Sequence, residues 1–478
     1  MLFGNVNTPG HPDPLNVRIL DTLPVDQIRR MMRVGLAVDR EWLADLSITL
    51  GHTKDELRKD VVSYIPADRL EQFVSESGDD PDGTNFNVDS PVQVAELLFS
   101  MLGVDGSRLK RTSTGKVSTG KKQLETIKTQ HPAIAKILQY RETSKLIGSF
   151  CNKLPNLARF HNGGMCKACG LKHLGDHWRI HGQIMTTRTA PGRLAMKAPN
   201  LQQIPSRTKA GREVRKAFIP APGCKLVSRD LAGSHLRILA HLAHEETMQR
   251  IFRDKGDIHS NTAKLVFGLG PDEKPDKLTQ RDPSKTATFL IIYGGGGSTL
   301  YDTLVTNFAL AGIAQPDWLT LAWCEAFIDK LLDSYPGMRA YFDLQDYRAQ
   351  RYGFVWCPFG RVRIIPEVWS CHERIKQAGL RQAGNHPIIA MESGIYKVAQ
   401  ARVERRMIEF RSQGIHAEAV LPVHDELIAE VDEDWVEEVG DTMGFEMEES
   451  LRDVDTGEMM TTVPVVSDGC SFHRWSKG

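Results

Sequence analysis

The sequence predicts an α+β fold. Helical and strand-like segments are mixed without the alternating rhythm of a βαβ chain. Helical periodicity runs through residues 17–75 and most of residues 276–415. Apolar, strand-like runs appear in CKLVSRDLAG, GFVWCPFGRVRIIPEV and VLPVHDELIAEV. At 478 residues the chain has room for several subdomains.

Composition narrows the class. Hydrophobic residues make up 41% and charged residues 25%, as in an ordinary soluble globular protein. No apolar run approaches the ~20 residues of a membrane span. The start, MLFGNVNTPGHPDPLN, lacks the basic and apolar regions of a signal peptide. Eight cysteines, mostly scattered, suit a reducing cytoplasm. Formal net charge is zero, yet charge is unevenly placed. From Ser107 to Lys145 ten Lys or Arg face only Glu125 and Glu142, whereas Asp425 to Glu458 is acidic. Charge alone fits a polyanion-binding face and a solvated helix surface equally well.

Taken in chain order, residues 1–16 read as a flexible, Pro- and Gly-rich arm, and VDQIRRMMRVGLAVDREWLADL reads as helical. The loop RTSTGKVSTG leads into the helix HPAIAKILQYRETSKLIGSF. In CKACGLKHLGDH, Cys166 and Cys169 form a Cys-x2-Cys pair, followed by His173 and His177. These four are candidate Zn²⁺ ligands, with Cys151 or His161 as substitutes. The short link makes closure by all four tight, and a polar surface loop with incidental thiols fits equally well.

In CKLVSRDLAGSHLRILAHL an apolar strand ends near Asp230, just before a helix. Taken alone, Asp230 fits a helix N-cap. Paired with Asp425, on the hairpin VLPVHDELIAEV, it fits a site for two Mg²⁺ ions. Arg281, Lys285, Phe289 and Tyr293 in QRDPSKTATFLIIYGGGG are spaced by four, hence on one helix face. Pro283 suits the helix start, and a helix N-terminus with two cations is a site for a triphosphate. An amphipathic helix with a basic end explains the same pattern.

These three segments resemble motifs A, B and C of family A DNA polymerases. RDPSKTATFLIIYG matches the family's Arg-x3-Lys-x3-Phe-x3-Tyr-Gly helix, and VHDE its His-Asp-Glu turn. TTRTAPGRLAMKAPNLQQIPSRT, KGDIHSNTA and GFVWCPFGRVRIIPEV match further segments in order, and similarity reaches nearly all of residues 17–478. The resemblance implies a right-hand polymerase fold. Residues 17–84 would be the helical base of the palm, 85–160 the thumb and 161–182 an inserted loop. Residues 183–275 would be palm with motif A, 276–400 fingers and duplex-contacting segments with motif B, and 401–478 palm with motif C.

It also implies roles. Asp230 and Asp425 would bind two Mg²⁺, with Glu426 as a supporting acid. Arg281, Lys285 and His259 would hold the incoming dNTP, Phe289 would sense its sugar, and Tyr293 would close on the nascent pair. Arg193, Gln202, Arg207, Arg381, Asn385 and His424 would contact primer–template DNA, largely from the minor groove. The pattern departs from the family twice. His235 stands where the family carries Glu, which excludes a ribose 2′-hydroxyl and bonds the fingers tyrosine. Ile389 replaces a duplex-contacting Gln.

About sixteen residues precede the first matching segment, fewer than a 3′–5′ exonuclease domain needs. The expectation is therefore a polymerase without proofreading, of phage or plasmid type, working in the cytoplasm (the host's, if phage-encoded). A separate exonuclease or processivity factor is an expected partner. Phe289 and Glu426 argue against a single-subunit RNA polymerase. The intact Asp230, Asp425, Lys285 and Arg281 argue against a silent DNA-binding module.

Overall fold

The computed structural model describes residues 14–73, 84–107, 109–112, 114–167, 170–206, 208–310, 313–452 and 458–476. Its centre is a four-stranded antiparallel sheet. The strands run in the order Ala417–Val423, Glu426–Asp432, Cys224–Leu231, Ser467–Phe472. Leu226, Val227, Ala419, Leu421, Ile428 and Ala429 are all buried in it. The helix Val436–Glu448 packs on strand Cys224–Leu231, and the long helix Glu373–Ser412 packs on strand Ala417–Val423. Such near-continuous apolar strands follow from this covering, because polar residues would lose water without gaining partners.

A second apolar cluster, including Phe86, Val88, Leu97, Ile134 and Ile137, lies apart from the main core. Helices Arg40–Val62 and Pro132–Leu146 each reach both. In the first, Leu43 and Leu50 belong to the main core, and Leu57 and Val61 to the second cluster. Helices Ile258–Phe267, Asp282–Ile292, Gly297–Leu310, Leu321–Ser334 and Pro336–Tyr352 form a helical block beside the sheet. Among the described residues no helix is long and apolar enough to cross a membrane.

Two expectations need correction. The segment read as continuously helical is two helices, Val25–Val34 and Arg40–Val62, parted by the short strand Leu36–Ala37. Gly35, at φ +71°, ends the first, and a Cβ there would lie 2.7 Å from a ring atom of His181. Asp39 caps the second by accepting from the Trp42 N–H. Residues 1–13 of the expected arm lie outside the described residues, but a helix, Pro14–Thr22, begins within it. It is tied down from both ends. Asn16 donates to the Phe359 carbonyl at 3.0 Å, and Asp21 pairs with Arg361 and the buried Lys397.

Candidate active site

Strand pairing brings the carboxylates together. Asp230 lies opposite Glu426 across the antiparallel ladder, and the Leu231 N–H donates to the Asp425 carbonyl at 3.3 Å. Asp230 is not a helix cap: the next helix, Ser234–Leu242, has Gly233 at its N-cap. Asp425 occupies a two-residue turn between the paired Val423 and Glu426. The other turn residue, His424, has φ +60°, a conformation that normally goes to Gly in such a turn. Backbone strain of this kind persists only where surrounding structure enforces it. Burial, with Glu392 and Asp230 nearby, pushes the Asp425 carboxyl up to about 7. Glu426 is buried and accepts from the Ser228 hydroxyl.

Asp230 and Asp425 are half-buried, and crowded carboxylate oxygens that repel one another suit a hard divalent cation, which removes that repulsion. By donor type and crowding, Asp230 and Asp425 therefore fit Mg²⁺.

Arg281, Lys285, Phe289 and Tyr293 lie along or at the ends of helix Asp282–Ile292. The expected free helix N-terminus is absent. A π-helical turn, Lys277–Arg281, runs straight into this helix, and Asp276 caps that turn by accepting from the Leu278 and Thr279 N–H groups. A triphosphate would therefore meet side chains here, not free helix N–H groups. Arg281 pairs with Asp257 at 2.8 Å. Against the opposing effect of burial, Arg281 and Ser260 hold Asp257 down at about 2. Lys285 is exposed. The His259 ring lies 5.5 Å from that of Phe289. Burial, aided by the charges of Lys285 and Arg281, pushes His259 down to about 4, and its Nδ1 is buried without a partner.

His235 meets the tyrosine as expected: its Nδ1 lies 2.8 Å from the Tyr293 hydroxyl. The other ring nitrogen reveals a residue that the motifs did not single out. Nε2 lies 3.0 Å from a carboxylate oxygen of Glu392 and 2.9 Å from an Arg193 guanidinium nitrogen. Glu392 is only 2% exposed, and it also accepts from Arg193 and from the Ser234 hydroxyl. Although burial opposes it, these partners hold Glu392 down at about 2. A tyrosine hydroxyl both donates and accepts, so the His235–Tyr293 bond survives either ring tautomer and ring protonation alike. Glu392 follows Arg381, Asn385 and Ile389 along one face of the helix Glu373–Ser412, and that helical spacing was its only signal in the sequence.

Of the expected DNA contacts, Gln202 and His424 line one cleft with Asp230, Asp425 and Glu426. That cleft, of about 740 Å³, is also lined by Lys121, Arg141 and Lys145 from the basic segment. Gln202 is fixed there by donating to the Pro422 carbonyl at 2.9 Å. Part of the basic segment does structural work: Arg141 donates to the Val88 and Thr119 carbonyls, and Lys136 pairs with Asp60. Arg193 is turned to Glu392. Arg381 is exposed and packs so close to Gly294 that a Cβ there would clash, and Asn385 is half-buried. Arg207 and Cys169 lie outside the described residues.

Among the candidate zinc ligands, Cys166 and His173 come together with His161, all three donor atoms lying within 4.8 Å of one another. His177 is not part of this group. Its Nε2 accepts from Arg179 at 2.9 Å, so that lone pair is already in use. Cys151 is buried in the main core.

Comparisons with known proteins bear on the whole chain. The family profile described as DNA polymerase family A matches residues 65–476. DNA polymerase I, thermostable, of Thermus aquaticus is 34% identical over 357 residues, which is 75% of this chain and 39% of the relative. DNA polymerase I of Chloroflexus aurantiacus is 31% identical over 432 residues, 90% of this chain and 40% of the relative. The chain thus spans about two-fifths of the length of these curated relatives. A solved structure titled as the POL domain of Pol1 from M. smegmatis, in complex with DNA primer-template and dNTP, superposes with a TM-score of 0.74 at 24% identity. It covers 96% of this chain and 72% of that one. With the family profile, the curated relatives and the fold in agreement, the chain belongs to DNA polymerase family A and has its right-hand fold.

Proposed function

We propose that this chain is a template-directed DNA polymerase that adds deoxynucleotides to a primer 3′ end. The observation that carries this reading is the cleft shared by Asp230 and Asp425 with Lys121, Lys145 and Gln202. It sets acceptors for divalent cations beside cations for a phosphate backbone, as phosphoryl transfer on DNA requires. Asp230 and Asp425 would hold two Mg²⁺, whose chemistry when bound is to neutralise charge on the transferring phosphoryl group. Lys285 and Arg281 would hold the triphosphate, with His259 as a neutral hydrogen-bonding partner. Phe289 would face the sugar. Tyr293, held by His235, would close over the nascent base pair.

In this reading, residues 17–84 and 401–478 belong to the palm with 183–275, residues 85–160 form the thumb, and 276–400 carry the fingers. Residues 17–160 then serve the polymerase itself and supply no 3′–5′ proofreading. Primer–template DNA and dNTPs are its partners, and the cytoplasm its compartment.

Primer extension with dNTPs and rNTPs tests the proposal. Extension should need Mg²⁺ and favour dNTPs. Asp230→Ala and Asp425→Ala should each abolish it while leaving duplex binding. With pyrophosphate removed, a mismatched primer end should stay intact. Near-normal extension by either variant rejects the assignment, and wild-type degradation of the mismatched end rejects the domain reading.

A further inference from the structure

We propose that His161, Cys166 and His173 form a zinc site on the inserted hairpin, and that His181 fixes the ring of His161 for that purpose. The site does not depend on the polymerase reading, and it differs from the ligand set that the sequence spacing picks out.

The backbone builds it. Strand Arg159–His161 ends at the first ligand. Gly164–Met165 pairs with Lys172–His173 as a small hairpin, with Gly164 opposite His173. Cys166 follows directly. Its N–H donates to the Leu171 carbonyl at 2.9 Å, and its carbonyl accepts from the Gly170 N–H at 2.8 Å. Gly170, at φ +66°, makes that tight turn possible. Asp176 closes the base of the loop by accepting from the Gly163 N–H at 2.8 Å. Cys166 Sγ lies 3.6 Å from His161 Nδ1, and the His161 and His173 ring centres are 4.3 Å apart. Both histidines are buried, at 6% and 4% exposure, and Cys166 is half-buried.

A chain of hydrogen bonds decides which nitrogen of His161 is available. His181 Nδ1 lies 3.0 Å from the Met32 carbonyl, which can only accept, so Nδ1 carries the proton. His181 Nε2 is then an acceptor. It lies 2.9 Å from His161 Nε2, which must therefore donate. The lone pair of His161 is left on Nδ1, the nitrogen that faces Cys166. A ring nitrogen facing a metal, with its partner nitrogen donating outward, is the usual outer-sphere arrangement of a metal-bound histidine.

One sulfur and two imidazoles suit zinc and disfavour the oxygen-seeking Mg²⁺ and Ca²⁺. Cys166 would bind as thiolate, its proton passing to solvent. Three donors leave a fourth tetrahedral position for a further sulfur or a water. The site would brace the sheet in which His177–Ile180 pairs with Arg159–His161 and Leu36–Ala37. Arg179 of that sheet is buried against Glu430, on the strand that Asp425 precedes.

The test is metal analysis of the full chain expressed with added zinc and purified without chelators, with cobalt(II) as a spectroscopic probe. The wild type should hold about one zinc per chain, and its cobalt form should show a thiolate charge-transfer band. Cys166→Ser and His161→Gln should lose the metal. Cys371→Ser, at an exposed cysteine, and His177→Gln should keep it. His181→Phe should weaken binding roughly 10–100-fold, the range seen for outer-sphere partners. A wild type that takes up neither zinc nor cobalt overturns the proposal. So does a folded His161→Gln that keeps full zinc, or a His177→Gln that loses it. Should the ligand variants fail to fold, the wild-type zinc content and cobalt spectrum decide alone.

Discussion

Glu392→Gln tests the buried network behind Tyr293, because it removes the charge and keeps the shape. Glu392 is 2% exposed and holds Arg193, Ser234 and His235. Its folded pKa of about 2, against 4.5 for a free glutamate, is a depressed value. A depressed carboxylate stabilises the fold fully above pH ~4.5 and loses that contribution as pH falls toward ~2. The gap corresponds to about 3 kcal/mol at pH 7. Breaking a buried ion pair typically costs about 3–5 kcal/mol, which agrees. Urea denaturation at pH 7 should therefore show Glu392→Gln less stable than wild type by about 3 kcal/mol. The difference should shrink to roughly half by pH 3.

A second arm uses His235→Glu, which restores the family's carboxylate beside Glu392. Two carboxylates sharing Arg193 should repel, so His235→Glu alone should be costly. Adding Glu392→Ala should relieve that cost rather than add to it. The ratio of dNTP to rNTP incorporation, read on all variants, should fall for Glu392→Gln and recover in the double variant. Equal stability of Glu392→Gln and wild type at pH 7, together with additive effects of the two changes, would refute the coupling.

Lys285→Ala should raise KM for dNTPs about 10–100-fold, as expected when a charge-assisted contact worth about 1.5–3 kcal/mol is lost. Duplex affinity in a gel-shift assay should stay unchanged, because Lys285 is exposed on the helix that would bind nucleotide, away from the basic cleft. His424→Gly should relieve the φ +60° turn and raise stability by up to about 1 kcal/mol in thermal denaturation, while primer extension falls. A destabilised Gly variant would mean that His424 is held by packing and not strained.

Much of this protein was legible in its sequence. Apolar runs ending in Asp230 and spanning Asp425 gave the strands, and spacing by four put Arg281, Lys285 and Phe289 on one helix. Both readings rest on local periodicity, which backbone geometry imposes wherever the chain folds. Ordered motifs then gave the family. The rest needed long-range proximity. Glu392 lies 157 positions beyond His235, and nothing in local pattern reveals that a buried glutamate stands behind that histidine. The free helix end expected at Asp282 was absent because Asp276 caps a π turn one step earlier, and an i→i+5 turn has no clear sequence signal. The zinc candidates changed for the same reason. Spacing favoured His177, yet alternation along its strand puts His177 and Arg179 on one face, where Arg179 takes its lone pair. His161 takes its place because its Nδ1 is turned to the Cys166 sulfur, beside His173.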